Sequence, residues 1–79
     1  MKHRIKTFGI ASEIMGGREL ELEIPGHTVA DLRRHLLQSY PALVGLNSLF
    51  IAVNRNYADD KTELLSSDEI AVIPPVSGG

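Results

Sequence analysis

Residues 19–41 read Glu-Leu-Glu-Leu-Glu-Ile-Pro-Gly-His-Thr-Val-Ala-Asp-Leu-Arg-Arg-His-Leu-Leu-Gln-Ser-Tyr-Pro, and this stretch decides the fold. Its hydrophobic period changes in the middle. From Glu19 to Ile24 apolar and acidic residues alternate, so Leu20, Leu22 and Ile24 share one face and Glu19, Glu21 and Glu23 the other: a half-buried strand. Pro25-Gly26 ends it as a turn pair. Thr28 then stands where an N-cap belongs, and Asp31, three residues on, takes the place of the capping-box carboxylate, although Asp is shorter than the usual Glu. Val29, Leu32, Leu36, Leu37 and Tyr40 recur at helical spacing, with Arg33, Arg34 and Gln38 outside the stripe. Pro41 closes the helix, because the residue before a proline is pushed out of the α region.

On the N-terminal side, residues 2–8 (Lys-His-Arg-Ile-Lys-Thr-Phe) read as a first strand. His3, Ile5 and Thr7 fall on one face, and Arg4, Lys6 and Phe8 on the other. Residues 10–15 form one or two helical turns before Gly16-Gly17 punctuates the chain. On the C-terminal side, residues 42–48 are a connection. Residues 49–53 (Leu-Phe-Ile-Ala-Val) are apolar throughout and suit a strand covered on both faces. Asn54-Arg55-Asn56 offers turn chemistry for a tight hairpin into a short strand near Tyr57-Ala58. Residues 59–68 read as a loop with room for a short helical turn, and residues 69–73 as the last strand.

These elements predict an α+β fold: a mixed sheet of four or five strands with one main helix on one face. A right-handed crossover through that helix is expected to set the third strand beside the first hairpin. The packed domain is assigned to residues 1–75 and a flexible tail to residues 76–79.

Composition narrows the function. Seventy-nine residues make one small domain. A hydrophobic content of 43% argues against disorder. The formal charge of −2 is far from the basic excess of a nucleic-acid binder. No apolar run approaches the ~20 residues of a membrane span, and no long apolar run follows Lys2, Arg4 and Lys6, so neither a membrane nor a signal peptide is indicated and the expected location is the cytoplasm. Without cysteine there is no disulfide, thiol nucleophile or thiolate metal site, which fits a reducing compartment. His3, His27 and His35 match no ligand spacing, so no metal is expected. Asp59-Asp60 and Asp68-Glu69 read as solvated loop acids. Gly16-Gly17 lacks the Lys-Ser/Thr of a phosphate loop and reads as a turn.

The sequence ends Pro74-Pro75-Val76-Ser77-Gly78-Gly79. At average glycine usage, two final glycines arise by chance in roughly 0.5% of chains, so the ending calls for a chemical reason. Proline fixes φ and resists coiling back. Residues 76–79 can then reach roughly 13–14 Å, at about 3.3–3.6 Å per residue. Two residues without β-carbons let a carboxylate enter a narrow channel. A carboxylate needs activation before it reacts, and adenylation by an ATP-using enzyme supplies it. Near the start of this stalk, Phe8, Tyr57 and Ile73 are expected to face away from the helix, a candidate docking surface.

The chain resembles the MoaD-type sulfur carriers, the small subunits of molybdopterin synthase, over nearly its whole length. Ala52-Val53-Asn54, Asp68-Glu69-Ile70-Ala71 and the Pro-Pro-Val-Ser-Gly-Gly ending carry the resemblance, together with Phe8 to Gly16 and residues 28–32. It implies a ubiquitin-like β-grasp fold. It also implies a cycle in which an E1-like adenylyltransferase adenylates Gly79. A persulfide sulfur donor then replaces AMP to leave a thiocarboxylate. The tail, with Gly78, Ser77, Val76 and Pro75, enters the synthase large subunit and gives its sulfur to precursor Z (cyclic pyranopterin monophosphate), building the molybdopterin dithiolene. The family's docking positions fall on Phe8, Tyr57 and Ile73, where Ile73 replaces a frequent Phe. The implied assembly holds two carriers and two large subunits. No cofactor stays bound; the acyl-adenylate and thiocarboxylate are transient. The carrier alone needs no catalytic side chain, because an ionised thiocarboxylate is nucleophilic without a base. A thiamine-pathway sulfur carrier, a ubiquitin-like modifier and a plain binding module are the alternative readings.

Overall fold

The computed structural model describes residues 2–46 and 49–75. The assignments made to Val76, Ser77, Gly78 and Gly79 lie outside the described residues. The chain runs β1 (Lys2–Thr7), α1 (Ile10–Met15), β2 (Glu19–Glu23), α2 (Val29–Ser39), a 3-10 helix (Pro41–Gly45), β3 (Phe50–Val53), β4 (Asn56–Tyr57) and β5 (Ile70–Ile73). The strands form one five-stranded sheet in the order β2-β1-β5-β3-β4. β1 pairs antiparallel with β2 and parallel with β5, and β3 pairs antiparallel with both β4 and β5. This is the mixed sheet and main helix expected of a β-grasp fold.

One topological expectation fails. The third strand does not lie beside the first hairpin, because β5 occupies the slot between β1 and β3. The crossover rule fixes hand and direction but not how many strands are spanned. β5 is suited to the central slot: Ile70 and Val72 are fully buried on the helix side, and both of its edges are paired.

The core lies between the sheet and α2. Ile5, Ile51, Ile70 and Val72 from the strands meet Val29, Leu32 and Leu36 from the helix, with Ala11 and Met15 of α1 closing one end. β2 keeps its alternation, with Leu20 and Leu22 half-buried and the three glutamates exposed. His3 faces the same interior. It is 1% exposed, and neither ring nitrogen has a hydrogen-bond partner among the described residues. Burial therefore pushes its imidazole below the ordinary histidine pKa, while Asp68 and Glu23 pull it partly back.

The helix begins as the sequence predicts. Thr28 Oγ1 accepts from the Asp31 N–H, and Asp31 Oδ2 accepts from the Thr28 N–H and Oγ1 and from the His27 N–H. These bonds hold the Asp31 carboxyl below the usual carboxylate pKa. Gly26 makes this possible: at φ 90° it adopts a left-handed conformation, and a Cβ there would fall on the Asp31 side chain. The next two helix donors are satisfied from far along the chain. Val29 N–H donates to the Thr62 carbonyl (2.9 Å) and Ala30 N–H to the Asp60 carbonyl (3.0 Å). Residues 59–68 form the expected loop, with isolated hydrogen-bonded turns (Thr62 N–H to the Asp59 carbonyl, 3.1 Å; Asp68 N–H to the Leu65 carbonyl, 3.0 Å) but no helix, while the Asp60 and Thr62 carbonyls cap α2 and Leu64 is buried. Arg33 fastens the same loop, its Nε donating to Asp60 (3.1 Å) and its guanidinium to the Leu49 carbonyl (2.5 Å). No described helix is long and apolar enough to cross a membrane.

Candidate functional site

The face of the sheet opposite α2 divides into two halves. On the β1–β2 half, Lys2, Arg4 and Lys6 stand opposite Glu23, Glu21 and Glu19 in register. Arg4 reaches Glu19 at 3.3 Å and Lys2 reaches Glu21 at 3.6 Å. Lys6 turns the other way, to Glu69 at 3.4 Å. The basic stripe and the acidic stripe thus neutralise each other across the strands.

The β5–β3–β4 half is apolar. Ala71 lies opposite Ala52, Ala52 opposite Tyr57, and Ile73 opposite Phe50. The parallel register of Thr7 with Val72 brings Phe8, just past β1, to the same end of the sheet as Ile73. An open concavity of about 460 Å³ results, lined by Phe8, Ala52, Tyr57, Ala71 and Ile73 and by the charged Lys6, Arg55 and Glu69. The structure therefore brings together all three residues expected to face away from the helix. Phe8 and Tyr57 are 50% and 73% exposed. Such a group of large apolar side chains in water is the usual mark of a surface that another protein covers.

Phe50 extends the patch and was not foreseen. Residues 49–53 are not covered on both faces: Ile51 packs on the core, whereas Phe50 points outward, is 45% exposed, and lies 5.5 Å from the Tyr57 ring, centroid to centroid. An all-apolar run reads as doubly buried when its outer face is in fact an unpaired apolar surface. The tyrosine after the tight turn was the available signal, because it must pair across the hairpin with this strand.

The site is braced by two of the sequence stretches that carry the resemblance, 52–54 and 68–71. Asn54 N–H donates to the Glu69 carbonyl (2.7 Å), Asn54 Oδ1 accepts from the Glu69 N–H (2.9 Å), and Asn54 Nδ2 donates to Asp68 (2.9 Å). Asp68 also accepts from the Leu65 N–H (2.7 Å), and the two bonds lower its pKa. The β3–β4 turn and the entry to β5 are thereby one hydrogen-bonded unit.

Pro74 and Pro75 follow β5 directly and are half-buried. Gly9, at φ 54° and ψ −134°, lies against them: a Cβ added there would come within 3.4 Å of Pro74 Cγ. The chain thus leaves the sheet at Pro74, against Gly9 and directly after Ile73 of the concavity.

Comparison with known proteins gives concordant results. The ThiS family model matches residues 5–79. Among curated proteins, the molybdopterin synthase sulfur carrier subunit of Caenorhabditis briggsae is 42% identical over 80 residues, covering 96% of this chain and 95% of the relative. That of Caenorhabditis elegans is 39% identical with the same coverage. Among solved structures, a Pyrococcus furiosus chain assigned as subunit 1 of a molybdopterin converting factor aligns with a TM-score of 0.84 at 28% identity, covering 96% of this chain and 99% of that one. The small archaeal modifier protein 1 of Methanosarcina acetivorans aligns at 0.79 and 32% identity, covering 99% and 96%. A chain from the complex of subunits 1 and 2 of the Helicobacter pylori molybdopterin-converting factor aligns at 0.68 and 26% identity, with both chains fully covered.

Proposed function

The chain belongs to the ThiS family, and from its full-length similarity to curated molybdopterin synthase sulfur carrier subunits we propose that it is the sulfur carrier subunit of a molybdopterin synthase. The observation that carries this reading is the convergence of Phe8, Tyr57 and Ile73 on one apolar concavity beside the point where Pro74 leaves the sheet. A carrier must dock by a surface near the root of its tail, so that the tail enters the partner while the domain stays outside. The H. pylori neighbour, which is found in a complex of subunits 1 and 2, supports a large subunit as that partner. The proposed assembly, the one the family resemblance implies, has two carriers and two large subunits; separately, each dithiolene consumes the sulfur of two carriers.

In the proposed cycle, an E1-like enzyme transfers AMP from ATP to the Gly79 carboxylate with release of pyrophosphate. The terminal sulfur of a donor persulfide attacks the adenylate carbonyl and AMP leaves, giving an acyl disulfide. A thiol of the donor or the activating enzyme then attacks the donor-side sulfur, so that the thiocarboxylate departs and that thiol and the donor sulfur are left joined as a disulfide. The docked tail, from Pro75 through Val76 and Ser77 to Gly78 and Gly79, presents that sulfur to precursor Z. Its sulfur is ionised and polarizable, so the carrier supplies the nucleophile and the large subunit supplies the acid, base and anion-binding groups. The adenylate and thiocarboxylate are the only groups the carrier holds, each transiently.

Incubating the chain with an activating enzyme, ATP and a sulfur donor tests the first half. Intact mass should show one oxygen exchanged for sulfur at the C-terminus; an unchanged mass removes every carrier reading. Adding the large subunit and precursor Z tests the second half, and absence of molybdopterin would refute the synthase assignment. A second reading is favoured by the archaeal modifier neighbour: attachment of Gly79 to lysines of other proteins. Its signature would be an isopeptide adduct formed with ATP and the activating enzyme in the absence of sulfur.

A further inference from the structure

We infer that Arg55 is a charged anchor on the docking surface, selecting a partner that places a carboxylate against it. The inference rests on the docking role proposed above and adds the chemistry of the partner. Asn54 and Arg55 form the two-residue turn between β3 and β4, closed by the Val53–Asn56 pair. Both have positive φ, 53° and 71°, as a type I′ turn requires. Asparagine tolerates that conformation, and Asn54 is further held by its bonds to residues 68–69. The second position of such turns favours glycine, and an arginine there keeps the backbone in a region that L side chains avoid. Strain retained at a surface turn points to a use for the side chain that causes it.

The surroundings of that side chain indicate the use. Arg55 lines the apolar concavity with Phe8, Tyr57 and Ile73. The three cations of β1 each have an acidic partner: Lys2 with Glu21, Arg4 with Glu19 and Lys6 with Glu69. Arg55, like Arg18 and Lys61, forms no ion pair or side-chain hydrogen bond among the described residues, but of these three it alone lines the concavity. A protein seated on the concavity would strip water from its guanidinium. That loss is offset only if the incoming surface brings an anion, and a carboxylate fits the planar fork with two parallel hydrogen bonds. A neutral or basic surface at this spot leaves a desolvated cation unpaired. The same residue that strengthens the right complex therefore weakens wrong ones.

The test titrates the purified molybdopterin synthase large subunit with the wild-type chain, Arg55→Gly, Arg55→Lys and Arg55→Glu at low and high salt. Phe8→Ala serves as the control for the apolar contact. Arg55→Gly is expected to raise Kd about fivefold, or about 1 kcal/mol, at low salt. Arg55→Glu is expected to raise it about twentyfold, Arg55→Lys less than either, and all three differences should shrink at high salt. Arg55→Gly should also raise the Tm, because glycine relieves the turn, so weaker binding cannot be ascribed to a damaged fold. If Arg55→Gly binds as tightly as wild type while Phe8→Ala weakens binding, the anchor is refuted and the docking surface stands. If Phe8→Ala and Ile73→Asp also bind unchanged, or the wild type does not bind, the docking surface falls and the anchor with it.

Discussion

Replacing His3 with leucine should make the protein more stable, and more so as the solution is acidified. His3 is 1% exposed, and both ring nitrogens lie without a hydrogen-bond partner among the described residues. A buried unsatisfied donor costs about 1–3 kcal/mol, and leucine removes that cost while keeping an apolar side chain of similar size on the helix-facing side of β1. A gain of about 1–2 kcal/mol at pH 7.5 corresponds to a Tm increase of about 5–15 °C in a domain of this length. The pH dependence has a definite sign. The folded pKa of His3 lies below its ordinary value of 6.5, so the unfolded chain binds more protons in the interval between the two. Wild-type stability should therefore fall as pH drops below 6.5, by at most about 1.4 kcal/mol per unit, until the folded pKa is passed. Asp31 and Asp68 also have lowered folded values, but their contribution is lost only as pH falls below their ordinary 3.8 and through the lowered value. The two windows are thus separate. Urea titrations of wild type and His3→Leu at pH 7.5, 6.5, 5.5 and 5.0 measure the difference directly. A variant less stable than wild type at pH 7.5, or one whose difference from wild type does not widen below pH 6.5, would refute the reasoning.

Three other outcomes are expected. Gly26→Ala should lose about 2–3 kcal/mol, from left-handed strain plus damage to the Asp31 cap, while Gly16→Ala, at φ 86° with no atom within 4 Å of the new Cβ, should lose only about 1 kcal/mol; urea midpoints rank the two. Phe8→Ala and Ile73→Asp should each raise the Kd for the synthase large subunit tenfold or more, and the exposed Phe8→Ala should shift stability by no more than about 0.5 kcal/mol; calorimetry on both quantities checks this. Deleting Gly79 should abolish thiocarboxylate formation in the intact-mass assay and leave the circular dichroism spectrum and Tm unchanged.

Much of the architecture is legible in residues 19–41, because the alternating glutamates, the Pro25-Gly26 turn and the Thr28–Asp31 cap are local signals with local causes. The order of the strands is not. Nothing in Ile70–Ile73 says that it pairs with β1 rather than bordering the sheet, since parallel pairing depends on partners more than 60 residues away. The 3-10 helix at Pro41–Gly45 is a local turn too short to show a hydrophobic period, and the capping loop at residues 60–64 is hidden because its hydrogen bonds go to the distant segment 27–30. At the candidate site, Phe8 and Ile73 follow from strand alternation, and Tyr57 from its place just after the hairpin turn. Phe50 was obscured by an apolar run in which both faces look alike, and Arg55 by a turn in which only the backbone angles reveal its cost.

The position of β5 has a consequence for how the molecule is made. Without it, the sheet is two separate hairpins, β1–β2 and β3–β4, with no strand to join them. The joining strand follows both hairpins along the chain, so the two cannot be tied into one sheet until residues 70–73 have been made. The apolar concavity shares that timing, because Ala71 and Ile73 belong to the same strand. A chain cut short before residue 70 would offer a partner neither a finished surface nor a tail. Closure of the sheet and completion of the concavity are thus one event.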